Sequence, residues 1–311
     1  MVSCFSYTAC RNKCFRYSFS SAGLRSSTAD LGDGTIVHCW VPRTHLDHKP
    51  TLVLLHGIGA NAMWQWDWFI DRFIPRFNVY VPDLLFFGDS HTTRPERSES
   101  FQARCVMAVM DAHGVRTMAV AGISYGGFVA YAMAAQFKER VERLVLICAG
   151  VSLEESDMDN GLFKVKSAEE AATILFPQSP AKLRQLLRLA FFKPPIVIPS
   201  CIANDYIRMM CTEHLQERTE LVEALHKGRR FSNLAKITQP TMIIWGDEDQ
   251  VFPVELAHRL KGHLGENARL TILKKTGHAI NEEKPKEMYK YMKSFLVDTV
   301  LSPKDKPKDS N

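Results

Sequence analysis

The sequence predicts an α/β protein with a mostly parallel central sheet that is covered by helices and interrupted by one all-helical insertion. Short, strongly apolar runs alternate with segments of helical spacing along most of the 311 residues. Such runs are typical of strands that are buried on both faces, as in a parallel sheet between helices. The segment 152–231 contains no run of this kind and shows helical spacing instead.

The two ends of the chain differ in composition from the middle. Residues 1–34 are rich in serine and basic residues and have no acidic residue before Asp30. We interpret them as an N-terminal extension that is poorly ordered or docks on the domain, with an organelle transit peptide as the alternative. Three cysteines near basic residues suggest reversible acylation as a further hypothesis: Cys4, Cys10 and Cys14. Residues 301–311 lack apolar periodicity and are expected to form a disordered tail.

The core of the domain is expected to comprise residues 35–151 and 232–300. Six apolar runs within it are predicted to be strands: Thr51–Leu55, Val79–Val81, Met118–Ala121, Leu144–Cys148, Met242–Trp245 and Leu270–Leu273. The connecting segments are long enough for helices, which parallel strands require as crossovers.

The insertion, residues 152–231, is predicted to be a cap of short helices. Its apolar residues recur at helical spacing, and prolines interrupt the pattern: Leu183, Leu186, Leu187 and Ala190, then Ile202, Tyr206, Met209 and Met210, with Pro194, Pro195 and Pro199 between them. Proline breaks a helix because it lacks the N–H donor and clashes with the preceding turn. Because the insertion follows a strand end, we expect it to cover the site at that edge of the sheet.

Composition excludes several classes of protein. Its 39 basic and 34 acidic side chains leave a net charge of only +5, without a basic cluster, so we expect no nucleic-acid partner. The eight cysteines are scattered without a CxxC pair, which predicts neither a zinc site nor a disulfide framework and favours a reducing compartment. No apolar run approaches the roughly 18 residues of a membrane span.

One motif carries the strongest chemical signal, the Gly-x-Ser-x-Gly pattern of Gly122, Ser124 and Gly126. It lies between the predicted strand Met118–Ala121 and a helical stretch. A sharp turn from strand to helix exposes the central hydroxyl, and glycines avoid collisions with the backbone nearby. Ser124 is therefore the candidate nucleophile.

A serine hydroxyl needs a base within hydrogen-bond reach and a group that orients the base. Two later segments follow apolar strands and offer these groups, Trp245–Pro253 with three acidic residues and Lys275–His278 with a histidine. The chain order is then serine, acid, histidine.

Together, these motifs resemble the α/β-hydrolase superfamily over about residues 35–300. The resemblance implies the α/β-hydrolase fold, with the cap inserted after the sixth strand. It also implies that Asp249 is the acid, because Gly246, Asp249, Val251 and Pro253 match the family segment, and Asp247 is then a solvated turn residue. His278 is implied as the base by its preceding glycine. No metal and no cofactor are implied.

The resemblance extends to the oxyanion hole, which binds the negatively charged oxygen of the intermediate. Residues 55–59 are similar to the family's His-Gly loop, which implies the backbone N–H groups of Ile58 and Tyr125 as donors. His56 is then a structural partner of that loop. A second family loop, at Pro82–Ser90, is interpreted as structural, except that Phe86 and Phe87 are expected to face the pocket.

The reaction class is inferred from the positions at which this chain differs from particular branches of the superfamily. Ser124 at the nucleophile position excludes epoxide hydrolases and dehalogenases, which carry aspartate there. Residues 58–61 and Ala279 differ from the pattern of carbon–carbon bond hydrolases. The chain is most similar to the monoacylglycerol-lipase-like and carboxylesterase branch, particularly its plant members, which implies a serine esterase acting on a lipid-like or aromatic ester through an acyl-enzyme.

Apolar side chains near the motifs are candidate pocket residues: Trp64, Trp66, Phe86, Phe87, Leu187 and Met209. Core packing is the alternative role for each of them. Two other functions stay open, a hydrolase-derived ligand sensor with slow turnover and a carbon–carbon bond hydrolase or lyase with the same triad. We expect a monomeric cytoplasmic protein with a small ester substrate and peripheral membrane contact as an option, and organelle import as the alternative location.

Overall fold

A computed structural model describes residues 6–195 and 198–298, and its centre is a sheet of nine strands. The predicted tail, residues 301–311, lies outside the described residues. The strands are β1 (Leu24–Asp30), β2 (Thr35–Pro42), β3 (Thr51–Leu55), β4 (Asn78–Pro82), β5 (His91–Thr92), β6 (Met118–Ile123), β7 (Val141–Ile147), β8 (Thr241–Gly246) and β9 (Ala268–Leu273).

The helices are α1 (Tyr7–Ser21), α2 (Ala62–Phe73), α3 (Glu99–Ala112), α4 (Tyr125–Gln136), α5 (Ser156–Asp159), α6 (Ala168–Leu175), α7 (Pro180–Ala190), α8 (Ser200–Met210), α9 (Leu215–His226), α10 (Glu255–Leu264), α11 (Ile280–Glu283) and α12 (Pro285–Lys293). Short 3₁₀ turns span Phe231–Asn233 and Gly265–Asn267, and a π-helical segment spans Ser294–Asp298. Helix α3 packs on α4, while α2 packs on both α1 and α12.

The sheet has the order β1-β2-β4-β3-β6-β7-β8-β9, with β5 paired to the edge of β2. Strands β4, β3, β6, β7, β8 and β9 run parallel, whereas β1 and β5 pair antiparallel with β2, which pairs antiparallel with β4. The chain therefore reaches the carboxyl edge of the sheet after each parallel strand, and side chains from separate loops can meet there.

Each of the six predicted strands overlaps an observed parallel strand. All residues of β3, β4, β6 and β8 are buried, as expected for strands covered on both faces. The predicted α/β architecture with a mostly parallel sheet is confirmed by the strand pairing.

The N-terminal segment belongs to the folded body rather than standing outside it. Strand β1 pairs with β2 along its whole length, so the sheet starts at Leu24 and not at residue 35. Helix α1 is capped by Ser6, whose side chain accepts from the Ala9 N–H, and it buries Phe15 and Phe19 in the main core. Residues 1–34 were expected to be either poorly ordered or docked on the domain, and residues 6–34 are docked.

The segment between β7 and β8 holds five helices, α5 to α9, and no strand among its described residues. Ser167 and Ser179 cap the starts of α6 and α7, and the prolines of residues 194–199 lie between α7 and α8. Leu183, Ala203 and Ile207 form a small apolar core of this cap. The cap follows the seventh strand, which is the sixth when the two-residue β5 is left out.

Candidate active site

Ser124 occupies a strained turn between β6 and α4. Its backbone φ is 52°, a conformation that costs a residue other than glycine on the order of 1–3 kcal/mol. A Cβ atom on Gly122 would lie 2.2 Å from the Gly126 carbonyl oxygen, and one on Gly126 would lie 2.4 Å from the His56 carbonyl oxygen. Glycine is therefore required on both sides of Ser124 by the close approach of backbone segments. The Ser124 N–H donates to the Ile147 carbonyl at 2.8 Å and fixes the turn.

His278 lies in the loop after β9 and connects Ser124 to Asp249. Its Nε2 atom is 2.9 Å from the Ser124 hydroxyl oxygen, and its Nδ1 atom is 2.8 Å from Asp249 Oδ2. The His278 side chain is 13% exposed. The next residue, Ala279, donates its N–H to the carbonyl of Ala190 at the end of the cap helix α7, at 2.8 Å. The cap thus helps to hold the histidine loop.

Asp249 is positioned as a buried acceptor. Its side chain is fully buried, and Oδ1 accepts from the backbone N–H groups of Val251 at 2.9 Å and Phe252 at 2.8 Å. These donors leave Oδ2 for the Nδ1–H of His278, which fixes the imidazole tautomer with Nε2 as acceptor toward Ser124.

Asp247 lies two residues away and has a different role. Its Oδ1 accepts from the Thr276 N–H at 3.3 Å, and its Oδ2 is 3.6 Å from the exposed Lys274 ammonium. Asp247 therefore bridges two loops, and Asp249 is the acid that lies next to His278.

Cys148 completes the surroundings of the acid. It follows β7 with a φ of 45°, is fully buried, and lies beside Asp249. Burial, reinforced by the nearby Asp249 carboxylate, raises the pKa of the Cys148 thiol well above its usual value. Among the described residues, Cys148, Asp249 and His278 form the one group of metal-ligating side chains close enough to share an ion. A metal there would replace the hydrogen bond between His278 and Asp249 and would need a deprotonated thiol.

The loop after β3 approaches Ser124 at Gly57, where an added Cβ atom would lie 2.8 Å from the Ser124 Cβ. His56 holds this loop, since its Nδ1–H donates to the Gly57 carbonyl at 2.8 Å and its Nε2 accepts from the Leu84 N–H at 2.9 Å. Burial lowers the pKa of His56, which keeps the ring neutral for both bonds. Ile58 and Tyr125 line the same cavity as Ser124, and neither backbone N–H donates to any described residue.

The loop after β4 is held by polar contacts within the body. Asp83 accepts from the His38 Nδ1–H at 2.8 Å and from the Ala62 N–H at 2.9 Å. The Ser90 hydroxyl donates to the Asp83 carbonyl at 2.8 Å. These buried contacts tie the β4 loop to β2 and α2, as expected for a structural loop.

A cavity of about 480 Å³ opens above Ser124 and His278. Its walls come from the loops of the sheet edge, from the cap helices and from α1. Trp64 and Leu187 line it, as predicted from the sequence. Most of the other lining side chains are apolar, including Phe163, Leu186 and Val222.

Four of the six pocket residues predicted from the sequence lie elsewhere. Phe86 is 1% exposed and packs against Arg97 and His214, while the buried Phe87 packs against His56 and Arg218. Cation and ring contacts from α9 and from loop residues thus cover both phenylalanine rings. Met209 is 40% exposed and faces outward from α8. Trp66 is likewise outside the cavity and fully buried in the core.

Other cavity residues were missed by the sequence analysis. Tyr7, Arg11 and Phe15 of α1 line the cavity although they belong to the predicted extension. Tyr206 of α8 lines it too, and its hydroxyl donates to the Gly59 carbonyl of the loop after β3. The signal for α1 was available, since Phe15 and Phe19 repeat at helical spacing after a serine cap.

Fold and site together define a hydrolase of the α/β class. The family model described as "Alpha/beta hydrolase family" matches residues 52–290, and the chain belongs to this family. The α/β-hydrolase fold inferred from the motifs is therefore confirmed.

The chain is also similar to individual curated proteins and solved structures. The monoacylglycerol lipase abhd6-A of Xenopus laevis is 28% identical over 275 residues, which cover 85% of this chain and 80% of that protein. A membrane phospholipase A described as a bacterial virulence factor superimposes with a TM-score of 0.75 at 25% identity, covering 94% of this chain and 91% of the other. Lip1 of Acinetobacter baumannii AYE has a TM-score of 0.78 at 24% identity, with 93% and 96% covered, and shares the fold.

Within the described ranges, no helix combines the length and apolar composition that crossing a bilayer requires.

Proposed function

We propose that this chain is a serine hydrolase that cleaves carboxylic esters through an acyl-enzyme. One observation carries the proposal: Ser124, His278 and Asp249 form a continuous hydrogen-bonded chain at the base of a mainly apolar cavity. This geometry supplies a nucleophile, a base and a group that orients the base. The names of the curated relatives, which are monoacylglycerol lipases, support the same reaction class.

The reaction starts with proton transfer. His278 Nε2 takes the Ser124 proton as the hydroxyl oxygen attacks the ester carbonyl, and Asp249 stabilises the imidazolium that forms. The tetrahedral intermediate then collapses, and His278 gives the proton to the departing alcohol oxygen. Water enters, loses a proton to His278 and attacks the acyl carbonyl. The second tetrahedral intermediate then collapses by breaking the bond to the Ser124 oxygen, which takes the proton back from His278, and the acid is released.

The negative charge on the carbonyl oxygen needs donors that are already in place. The backbone N–H groups of Ile58 and Tyr125 are our candidates, because both are free of protein acceptors in the described chain and both residues line the cavity with Ser124. A preorganised donor of this kind contributes on the order of 3 kcal/mol to transition-state stabilisation.

The cavity favours an ester with an apolar portion. Leu186, Leu187 and Phe163 line the wall formed by the cap, residues 152–231. Burying an acyl chain there removes apolar surface from water, which contributes about 0.8 kcal/mol for each buried CH₂ group. We therefore infer a lipid-like ester with a single acyl chain as the substrate class.

A lipid substrate also requires access from a lipid phase, and we infer that α1 and α8 provide it by peripheral contact. The exposed large apolar side chains of the described residues are Tyr7 and Tyr17 on α1 and Ile202 and Met209 on α8. These two helices pack on each other, and Tyr7 and Ile202 line the cavity. Helix α1 has basic residues and no acidic ones, which suits an anionic bilayer surface.

The ester reaction is tested with p-nitrophenyl esters of increasing acyl length. We expect turnover by the wild type and a loss of about 10⁴- to 10⁶-fold in Ser124→Ala and His278→Ala. Near-wild-type turnover in either folded variant would contradict the proposed roles. Ligand-dependent capture of a partner with negligible turnover would favour the sensor function instead.

A further inference from the structure

One glutamine at the cavity has no role in the mechanism proposed above. Gln65 belongs to the first turn of α2, is partly buried and lines the cavity together with Ser124. Its Oε1 atom accepts from the Gly57 N–H at 2.8 Å, and its Nε2 atom donates to the Gly57 carbonyl at 3.1 Å. Nε2 also lies 3.4 Å from the Ile58 carbonyl. The side chain therefore binds both backbone polar groups of Gly57.

These contacts fix the peptide group that joins Gly57 to Ile58. His56 Nδ1 donates to the same Gly57 carbonyl at 2.8 Å, so two side chains hold this oxygen. In a planar trans peptide the C=O and N–H groups point in opposite directions. The Ile58 N–H therefore points away from Gln65 and His56, and it donates to no described residue.

The nucleophile lies against this part of the loop. A Cβ atom added to Gly57 would also lie 3.4 Å from the Ser124 hydroxyl oxygen. An ester carbonyl attacked by Ser124 is thus brought near the Ile58 amide, which is the next group along the chain. A donor there is effective only if it keeps its direction, because a displacement of about 1 Å can cost on the order of 100-fold in rate.

Only a neutral amide can satisfy both polar groups of Gly57. A lysine or arginine could donate to the carbonyl but could not accept from the N–H, and a carboxylate could accept but not donate. Because the Gly57 N–H can only donate, Oε1 must face it, which determines the orientation of the Gln65 amide. The start of α2 is itself anchored, since Asp83 accepts from the Ala62 N–H at 2.9 Å. Gln65 thus holds the loop from a fixed helix and adds no net charge.

We propose that Gln65 is a positioning residue for ester hydrolysis, whose amide directs the Ile58 N–H at the oxygen that becomes negative. This role rests on the proposed function and on Ile58 as an oxyanion donor. It affects the tetrahedral states rather than substrate binding, because only there does the carbonyl oxygen carry a full charge. Acylation and deacylation both pass through such a state, so loss of Gln65 lowers kcat whichever step limits turnover.

The test uses Gln65→Met, which removes the amide and keeps nearly the same length. With p-nitrophenyl butyrate, we expect kcat to fall about 10- to 100-fold and KM to stay within about twofold. The second probe is 1,1,1-trifluorododecan-2-one. Ser124 adds to its carbonyl carbon as the hydroxyl proton passes to His278, which gives a hemiketal with a negative oxygen. The Ki of the ketone should rise by the factor by which kcat falls.

Two controls separate orientation of the donor from general damage. The matching alcohol, 1,1,1-trifluorododecan-2-ol, cannot form the adduct, so its Ki should stay within about twofold in Gln65→Met. Gln239→Met removes another buried amide, at the amino end of β8, where Nε2 donates to the Ala134 carbonyl at 2.9 Å. This variant should lower the melting temperature but leave kcat and both Ki values within about twofold of the wild type.

A second substitution covers the case in which Gln65→Met does not fold. Gln65→Glu keeps an acceptor for the Gly57 N–H, but its carboxylate cannot donate to the Gly57 carbonyl. We expect it to lower kcat and weaken the ketone at least tenfold at pH 8. Melting temperatures establish which variants are folded.

A folded variant of Gln65 with wild-type kcat and wild-type ketone affinity would overturn the positioning role. Equal rises in the Ki values of the ketone and the alcohol would overturn it too, because Gln65 would then shape the cavity without orienting a donor. Failure of the ester reaction itself has a different result. In that case the wild type neither hydrolyses p-nitrophenyl butyrate nor binds the ketone more tightly than Ser124→Ala does.

Discussion

Single residues decide the chemistry at the carboxyl edge of the sheet. Ser124, Asp249 and His278 follow three different parallel strands, and only the fold brings them within hydrogen-bond distance. Two backbone N–H groups aim one oxygen of Asp249 away from His278, so that the other faces the imidazole. Backbone N–H groups therefore position the side chains of the site, in addition to the hydrogen bonds between those side chains.

The acid is tested by a pair of substitutions on one loop. Asp249→Asn should lower kcat by up to about 10⁴-fold, because an amide cannot fix the imidazole tautomer or balance the imidazolium charge. Asp247→Asn is the matched control and should retain activity within severalfold, because Asp247 contacts Thr276 and Lys274 instead. Steady-state kinetics on p-nitrophenyl butyrate measures both. A benign Asp249→Asn beside an inactive Asp247→Asn would mean that the acid has been assigned to the wrong residue.

The sequence indicated which polar side chains lie together, Ser124, His278 and Asp249, better than it indicated which apolar side chains line the cavity. Motifs around Ser124 and His278 depend on local backbone requirements, which a sequence expresses directly. Phe86 and Phe87 look the same in sequence whether they face a cavity or the core. Phe86 is covered by Arg97 from the following loop, and Phe87 is covered by Arg218 from α9, which is distant in the sequence. Pocket residues could therefore not be predicted from local composition.

At the scale of elements, the cap determines the shape of the cavity. Leu187 on α7 lines it, whereas Met209 on α8 faces solvent. Leu187→Asp should reduce kcat/KM for decanoate relative to acetate esters by about tenfold or more, because a charge is costly next to a buried acyl chain. Met209→Asp is the control and should leave the profile for soluble esters unchanged. If a stable Leu187→Asp variant had the same dependence on acyl chain length as the wild type, the acyl chain would have to bind elsewhere.

The exposed apolar side chains of α1 and α8 lead us to predict that the protein binds to bilayers. The wild type should float with vesicles that contain about 30% anionic phospholipid and bind weakly to purely zwitterionic vesicles. Tyr17→Asp and Met209→Asp should each weaken flotation severalfold, because both side chains are exposed and apolar. Turnover of p-nitrophenyl butyrate in solution should stay unchanged and serves as the control for folding. Flotation that is insensitive to both substitutions and to anionic lipid would contradict this surface.

Some helices and strands can be predicted from their sequences more easily than others. The parallel strands contain runs of mostly apolar residues that are buried in the sheet, and all six were predicted. Strand β1 was missed, since its sequence Leu-Arg-Ser-Ser-Thr-Ala-Asp is polar and only Leu24 is fully buried. An edge strand needs only one protected face, so its pattern resembles that of a loop. Helix α1 was placed in an extension because its buried residues are few and its exposed face is basic.

At the scale of the whole molecule, ion pairs join the cap to the core, among them Arg97–Glu220, Arg229–Glu99 and Arg259–Asp157. Asp157 of α5 accepts two hydrogen bonds from Arg259 of α10, at 2.7 and 2.9 Å. Burial alone would raise the pKa of Asp157, but the bonds from Arg259 and the Glu154 N–H outweigh it and hold the pKa below its usual value. The cap is thereby fixed over the cavity by a charged carboxylate.

The resulting pH dependence has a definite sign. Because the folded pKa lies below the unfolded value of about 3.9, the stabilisation is complete well above that pH and is lost as the pH falls through the folded pKa. Asp157→Asn should lower the melting temperature at pH 7 by a few degrees, and the difference from wild type should shrink toward pH 3. Thermal unfolding followed by circular dichroism measures it. A difference that grows on acidification would contradict the assigned charge state.

The proposed acyl-enzyme mechanism depends on Ser124 as the nucleophile, and covalent labelling of the protein tests this role most directly. A fluorophosphonate reacts with an activated serine and releases fluoride, and intact-protein mass spectrometry counts the attached groups. We predict one adduct on the wild type, located by peptide mapping to Ser124, no adduct on Ser124→Ala and strongly slowed labelling of His278→Ala. An adduct of equal yield on Ser124→Ala, or an unlabelled wild type that still hydrolyses p-nitrophenyl butyrate, would contradict the acyl-enzyme mechanism.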